Sequence, residues 1–441
     1  MENRTMRKLA LAVLLFVAGN AAARAETTVP ETGFGCTGLQ TLASPKTIEG
    51  KDGFFFSVDD DIRMPMTGDP QMVASIAALS KQLAARGTTL VYVPVPTKGQ
   101  VMSDLLPDAA FALGFEADIS DKLYETFVAR LQTAGVAAVD LLQPLRAAGT
   151  ADPAFYRSAE YWSDHGARIA AKAAANVVMA RPAYGGIAHT AYETMMYGPV
   201  LRPSAMRNNL QAFCRENLPP VIGHVFETKP ANMPADGDDT ASPAVLVGTQ
   251  YSLPEFSHFA GFIEEFSALR VENRAIAGAD ALAAMIDYVT SDAFITAPPP
   301  FLIWEAPVAG ARSGAGPIGW NILLAAAGRE CRPLAAANQP SGAPGLSVDM
   351  RKVADPGASV LMIRTGQAAF DHVDIRTTDG RGTERHLSIS ADGQLAANGN
   401  VFVPLRPVAS DGLLDLSVVV AGGPDAPPAL YLCNPPVAQT Q

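Results

Sequence analysis

Thr88-Thr89-Leu90-Val91-Tyr92-Val93-Pro94 is a continuous apolar run that follows a helical pattern opening at Asp69-Pro70 and stopping near Arg86-Gly87. A run of this kind, without polar alternation, reads as a strand covered on both faces, and glycine is a good helix stop. The unit recurs. Ile119-Ser120-Asp121 opens a helix to about Gly135, and Val136-Ala137-Ala138-Val139-Asp140-Leu141 follows as a strand. His165 to Met179 reads as helix, Pro243 to Gly248 as a short strand into a turn, and Glu255 to Phe266 as helix. Ala279 to Val289 is helical again, and Pro300-Phe301-Leu302-Ile303-Trp304-Glu305 is a strand. Helices alternating with continuous apolar strands predict an α/β fold with a mainly parallel sheet covered on both faces.

Residues 181–242 interrupt that alternation. They are rich in Pro, Gly, Asn and Asp, which predicts an irregular or short-stranded insertion. Ala335 to Pro344 has the composition of a linker. Beyond it, short alternating runs at 359–363, 373–376, 386–389, 401–405 and 414–419 are separated by turn residues. That spacing is the signature of a small β-sandwich. The expected organisation is a targeting segment at 1–25, an α/β domain at 26–334 and a β-sandwich at 345–441.

Arg4, Arg7 and Lys8 precede an unbroken apolar run from Leu9 to Ala18, and Ala23-Arg24-Ala25 stands before Glu26. This is the pattern of a cleaved secretory signal peptide, and the run is too short for the ~20 residues that cross a bilayer. No later stretch is long enough to span a membrane, so an exported, soluble mature chain is expected. The chain of 441 residues holds 44 acidic and 33 basic side chains, a net charge of -11. That balance argues against generic nucleic-acid binding, which needs a surplus of Lys and Arg. Cys36, Cys214, Cys331 and Cys433 make disulfides the expectation in an oxidising compartment, and four cysteines allow three pairings. His189, His224, His372 and His386 show no metal-ligand spacing, so neither a metal nor a cofactor is expected.

Two short motifs carry the chemistry. In Val245-Leu246-Val247-Gly248-Thr249-Gln250-Tyr251-Ser252 a strand ends in a glycine turn with a helix expected after it, the place where α/β folds lift a nucleophile above the sheet. In Phe155-Tyr156-Arg157-Ser158-Ala159-Glu160-Tyr161-Trp162-Ser163-Asp164-His165-Gly166-Ala167 an aromatic loop leads into a helix.

With these motifs the chain resembles the family of periplasmic alginate O-acetyltransferases of the AlgX and AlgJ type, whose domain is SGNH-hydrolase-like. The resemblance extends to the leader, the Leu-Ile-Trp-Glu strand at 302–305 and a C-terminal carbohydrate-binding β-sandwich. It implies two disulfides, one in each module, pairing the four cysteines in order. The family's nucleophile motif reads Gly-Thr/Asp-Ser-Tyr/Phe-Ser, and its acid-base motif reads Asp-Thr-His-Trp-Thr/Ser-x-x-Gly. Anchored on Gly248-Thr249, Tyr251-Ser252, Trp162-Ser163 and Gly166, the nucleophile falls at position 250, the His at 161 and the Asp at 159.

This chain holds Gln250, Tyr161 and Ala159 there. Acyl transfer of this type needs a hydroxyl to attack, an imidazole to take its proton and a carboxylate to orient the imidazole. None of the three is present, so the resemblance implies a polysaccharide-binding or scaffold member of an exopolysaccharide acetylation and export assembly. The alternative is an active O-acetyltransferase or acetylesterase whose triad has moved to Asp164, His165 and Ser252. Neighbouring residues at a helix start diverge by about 100° around the axis, however, which separates Asp164 from the imidazole it would orient. Helix N-terminal charge pairing for Asp164, and a cap or turn for Ser252, are the simpler roles. An anionic, alginate-like polysaccharide is the expected partner. Arg364, Arg376, Arg381 and Arg385 are its candidate contacts in the sandwich, with Trp162 as a stacking surface at the altered site.

Overall fold

The computed structural model describes residues 33–63, 69–232, 241–309, 316–328, 331–338, 345–353, 355–366, 370–390, 399–409, 412–422 and 428–434. The expected signal peptide lies outside the described residues, as does 339–344 of the expected linker.

A five-stranded parallel sheet forms the centre, in the order Ala137–Ala138, Thr89–Val95, Phe301–Pro307, Ala244–Val247, Val271–Asn273. The three middle strands are the continuous apolar runs, and all but the ends of their residues are buried. Helices Pro70–Ala85, Ala117–Thr133, Asp164–Met179, Phe259–Ser267, Ala281–Thr290 and Gly316–Ala327 enclose the sheet. Each boundary has a local cause. Asp69 accepts from Gln71 N with Pro70 as first helical residue, Ser163 accepts from Gly166 N, and Asp280 accepts from Ala283 N.

Three local expectations change. The strand expected over Val136–Leu141 is only Ala137–Ala138, because the edge strand finds a partner on one side alone and the chain turns into helix Leu142–Arg146. No helix follows Gly248 directly; a single 3-10 turn, Gln250–Ser252, intervenes, and the helix begins at Phe259. The insertion is not short-stranded. Tyr192–Leu201 and Ile222–Pro230 form one long antiparallel ribbon, which takes up Pro199 at a register shift between Met196 and Pro199.

The C-terminal part is a sandwich of two antiparallel sheets. One runs Cys331–Pro333, Ala429–Cys433, Val360–Arg364, Asn400–Pro404; the other runs Ala336–Asn338, Leu346–Asp349, Leu413–Ala421, His372–Asp379, Glu384–Ser390. Part of the expected linker is therefore an edge strand, Ala336–Asn338, paired with Leu346–Asp349. Leu361, Ile363, Val401, Val403 and Leu432 meet Val373, Ile375, Leu416 and Val418 between the sheets. On its other face the four-stranded sheet buries Val360, Met362 and Phe402 in the main core, against helices Ala281–Thr290 and Gly316–Ala327. The disulfides pair Cys36 with Cys214 and Cys331 with Cys433, as the resemblance implies.

Because Phe402 is shared between sandwich and α/β core, Phe402→Ala should cost about 3–5 kcal/mol, the usual price of a buried Phe cavity. Differential scanning calorimetry should show one transition moved down as a whole. Two separated transitions with only one of them shifted would contradict a shared core.

Candidate functional site

Loops leaving the carboxyl ends of parallel strands are where α/β folds assemble sites. Here the ends of Thr89–Val95, Phe301–Pro307 and Ala244–Val247 are adjacent. Glu305, fully buried on the middle strand, accepts from Thr249 N at 2.8 Å, from Thr249 Oγ1 at 3.1 Å and from Ser252 Oγ at 3.0 Å. A Cβ at position 248 would lie 2.4 Å from the Glu305 carboxylate, so only glycine permits this approach. Burial outweighs those hydrogen bonds and pushes the Glu305 carboxyl up to about 7.

The second motif docks on this turn. Phe155 and Trp162 form a bridge, Trp162 Nε1 donates to Tyr251 O at 2.9 Å, and Tyr251 Oη donates to Glu160 O at 2.6 Å. Burial raises the Glu160 carboxyl above its ordinary value. The positions expected to hold nucleophile, base and carboxylate therefore do sit on two loops that meet. Ala159, Tyr161 and Val221 form a small buried cluster, with Tyr156, Tyr251 and Phe256 packed against it. Tyr161 lies edge-on to Tyr156 and Phe256, and its hydroxyl donates to Pro203 O. Burial holds its phenol well above the ordinary value, so it accepts no proton near neutrality.

Pro203 belongs to a strap, residues 202–204, that leaves the ribbon and crosses these loops. Ser204 Oγ donates to Ser158 O at 2.7 Å. Arg202 reaches Asp164 Oδ1 at 3.0 Å, His224 O at 2.7 Å, and the carbonyls of Pro254 and Glu255 at 3.2 Å each. His224 N donates to Asp164 Oδ2 at 2.6 Å. Gly223 lies so close that a Cβ there would be 2.7 Å from that same oxygen.

The three residues of the alternative triad go separate ways. Asp164 pairs with Arg202, His165 Nδ1 lies 2.8 Å from Asp152 Oδ2, and Ser252 is buried against Glu305. Trp162 is fully buried between Tyr251 and Phe259, which makes it core and not a surface for stacking. The four arginines do not share a face. Arg364 reaches across to Asp292 Oδ1 at 2.8 Å. Arg376 stands on the outer side of the five-stranded sheet, whereas Arg385 lies opposite buried Thr377, on the other side. Arg381 is exposed in the turn between those strands, its backbone N–H donating to Asp379 Oδ1.

Sequence reasoning did not single out Lys98, Asp61, Glu160 or Arg202. Lys98 is buried, donates to Arg157 O at 2.8 Å and Ala159 O at 3.2 Å, and lies over the rings of Phe54 and Phe56. Burial lowers the Lys98 amine and raises the Asp61 carboxyl, each opposed by the other's charge. Of these, Lys98 left only a positional signal, following the end of a buried strand. Among the described residues, no group of three or more His, Cys, Asp or Glu side chains is placed to hold a metal ion. Among them also, no helix is long and apolar enough to cross a membrane.

A parallel sheet enclosed by helices, with a glycine turn and the Ala159-Glu160-Tyr161-Trp162 loop meeting at its carboxyl edge, is the architecture of an SGNH-hydrolase-like domain. Residues 47–308 match the family model described as SGNH hydrolase-like domain, acetyltransferase AlgX, and the chain belongs to that family. The alginate biosynthesis protein AlgX of Pseudomonas aeruginosa is 29% identical over 262 residues, covering 58% of this chain and 55% of that protein. The chain thus spans about half the length of the curated AlgX relatives it matches. The solved structure of Pseudomonas aeruginosa AlgX superposes with a TM-score of 0.69 at 22% identity, covering 88% of this chain and 93% of that one. The O-acetyltransferase domain of Pseudomonas putida AlgJ gives a TM-score of 0.51 at 28% identity, covering 60% of this chain and 91% of that one.

The raised Glu305 carboxyl has a signed consequence. Its folded pKa of about 7 exceeds the ordinary 4.5, so the folded state holds a proton that the unfolded chain has lost. Stability tied to this group is complete below about pH 4.5, falls as pH rises towards 7 and is flat above, a change of up to about 3 kcal/mol. Glu305→Gln should remove that slope from urea-unfolding curves taken between about pH 5 and pH 8. A difference between the two proteins that is constant across that range would show Glu305 to be ionised throughout.

Proposed function

We propose that this chain is a non-catalytic, polysaccharide-binding member of the alginate O-acetylation family. It would serve in the periplasm, after removal of residues 1–25, as a binding or scaffold subunit of an exopolysaccharide modification and export assembly. The observation that carries this reading is the filled catalytic position. Gln250 offers no nucleophile, Ala159 has no orienting group, and Tyr161 is buried under the strap with its hydroxyl on Pro203 O. No hydroxyl-imidazole pair stands at these positions, and the groups of the alternative triad are each held by another partner. The names of the relatives support polysaccharide O-acetylation as the setting, and the leader pattern supports the periplasm. The family resemblance supports the sandwich, nominally 345–441, as the carbohydrate-binding module, with Arg376 and Arg381 exposed on it.

Purified protein should release no acetate from a small activated ester beyond a heat-killed control, and neither should Ser252→Ala or His165→Ala. Turnover by the wild type that disappears in both variants would mean that the chemistry has moved, and would end this reading. Calorimetry should register binding of polymannuronate and none of a neutral glucan. Flat traces with both would leave a structural partner without sugar affinity.

A further inference from the structure

The outer side of the five-stranded sheet carries a polar row. In register, His386 lies opposite Arg376, Arg376 opposite Ser417, and Ser417 opposite Ser347. With strands about 4.8 Å apart, this row spans about 14 Å across the sheet. Beside it, Asp374 Oδ1 lies 3.2 Å from His386 Nε2, and Asp374 Oδ2 lies 3.4 Å from His372 Nε2. The two imidazoles are 43% and 52% exposed, the carboxylate 23%, so a ligand would meet the histidines first. The remaining charges facing this side stand one row away. Glu384 and Asp415 flank Thr378, Asp349 opposes Asp415 and is ion-paired with Arg351, and Asp371 lies against Gly422 at the far end.

We propose that this face is a proton-gated binding site for a carboxylate-bearing glycan, with Arg376, His372 and His386 as its cationic contacts and Ser417 and Ser347 as its hydroxyls. The proposal rests on the polysaccharide-binding reading above and adds the place and the condition. With neutral imidazoles, each Nε2 faces an Asp374 oxygen, and that carboxylate offsets Arg376 within the cluster. Asp374 stays ionised, because hydrogen bonds from Ser388 and His386 and the charge of His372 hold it below its ordinary value. Histidine is the side chain that gains a charge on mild acidification, and protonation of both imidazoles adds two positive charges around the same carboxylate. The sum over Arg376, Asp374 and the two imidazoles then changes from zero to positive, beside Glu384 and Asp415 one row away. A sugar carboxylate, titrating as an ordinary acid near pH ~4, remains anionic over that interval. An extended chain lying across the strands would meet cation, cation, hydroxyl and hydroxyl in turn.

The test is binding of a polymannuronate oligomer to the full chain at about pH 7.5 and about pH 5.5 at one low ionic strength, with dextran as the neutral control. Wild type should bind the oligomer about fivefold or more tightly at the lower pH. His372→Gln/His386→Gln should hold the ratio below about two, and Arg376→Gln should weaken binding at both pH values. Lys172→Gln, an exposed cation on helix Asp164–Met179, should change neither. Oligomer binding that is equal at both pH values, or that survives these substitutions, overturns the site and leaves the polysaccharide reading standing. No oligomer binding at either pH overturns both.

Discussion

The carboxyl of Glu305 is the tie between sheet and site. It sits on the middle strand, between the two other long strands, and draws both Thr249 and Ser252 down onto itself. That geometry closes the turn at Gly248 and aims the following residues at the second motif. Trp162 and Tyr251 then lock the two loops together through bonds to backbone atoms, which do not depend on the identity of residues 159, 161 or 250. The meeting of the two loops is therefore independent of the side chains at those three positions. Its stability comes from a buried acid, a glycine and two aromatic side chains.

Around position 161 the loops are held by packing. Tyr161 closes a cluster with Ala159 and Val221, and its hydroxyl needs a partner inside, which the Pro203 carbonyl supplies. The strap bearing that carbonyl is anchored independently by Ser204 and by the buried Arg202–Asp164 pair. A buried pair of this kind contributes little net stability, but removing one partner strands the other charge. The pair therefore sets where the strap lies more than how stable the protein is.

Much of this organisation was legible in the sequence, for reasons that differ by element. The strands at 89–95 and 301–307 announce themselves because both faces are apolar, and the long helices because their caps and glycine stops are local. Elements defined by a distant partner were not legible. Ala336–Asn338 has linker composition and becomes a strand only because Leu346–Asp349 lies alongside. The ribbon at 192–230 contains Gly198 and Pro199, which read as breakers until a bulge takes them up. At the site, the flanking motif residues drew attention to positions 159, 161 and 250, but the destinations of Arg202, Lys98 and Tyr161 were not readable. Their partners are backbone carbonyls, and a carbonyl leaves no mark in the sequence. The arginines of the sandwich were close in sequence, yet strand alternation sends Arg376 and Arg385 to opposite sides.

The Cys331–Cys433 bridge joins two residues that are also opposite each other in register, one on the first strand of the sandwich and one on the last. Everything between them is a covalent loop whose entry and exit coincide. A pull on the segment beyond Cys433 is transmitted through the sulfurs directly to the α/β domain, and the strands inside the loop bear none of it. The sandwich is thus mechanically shielded: a tethered partner could tug on the end of the chain without paying out any of its length.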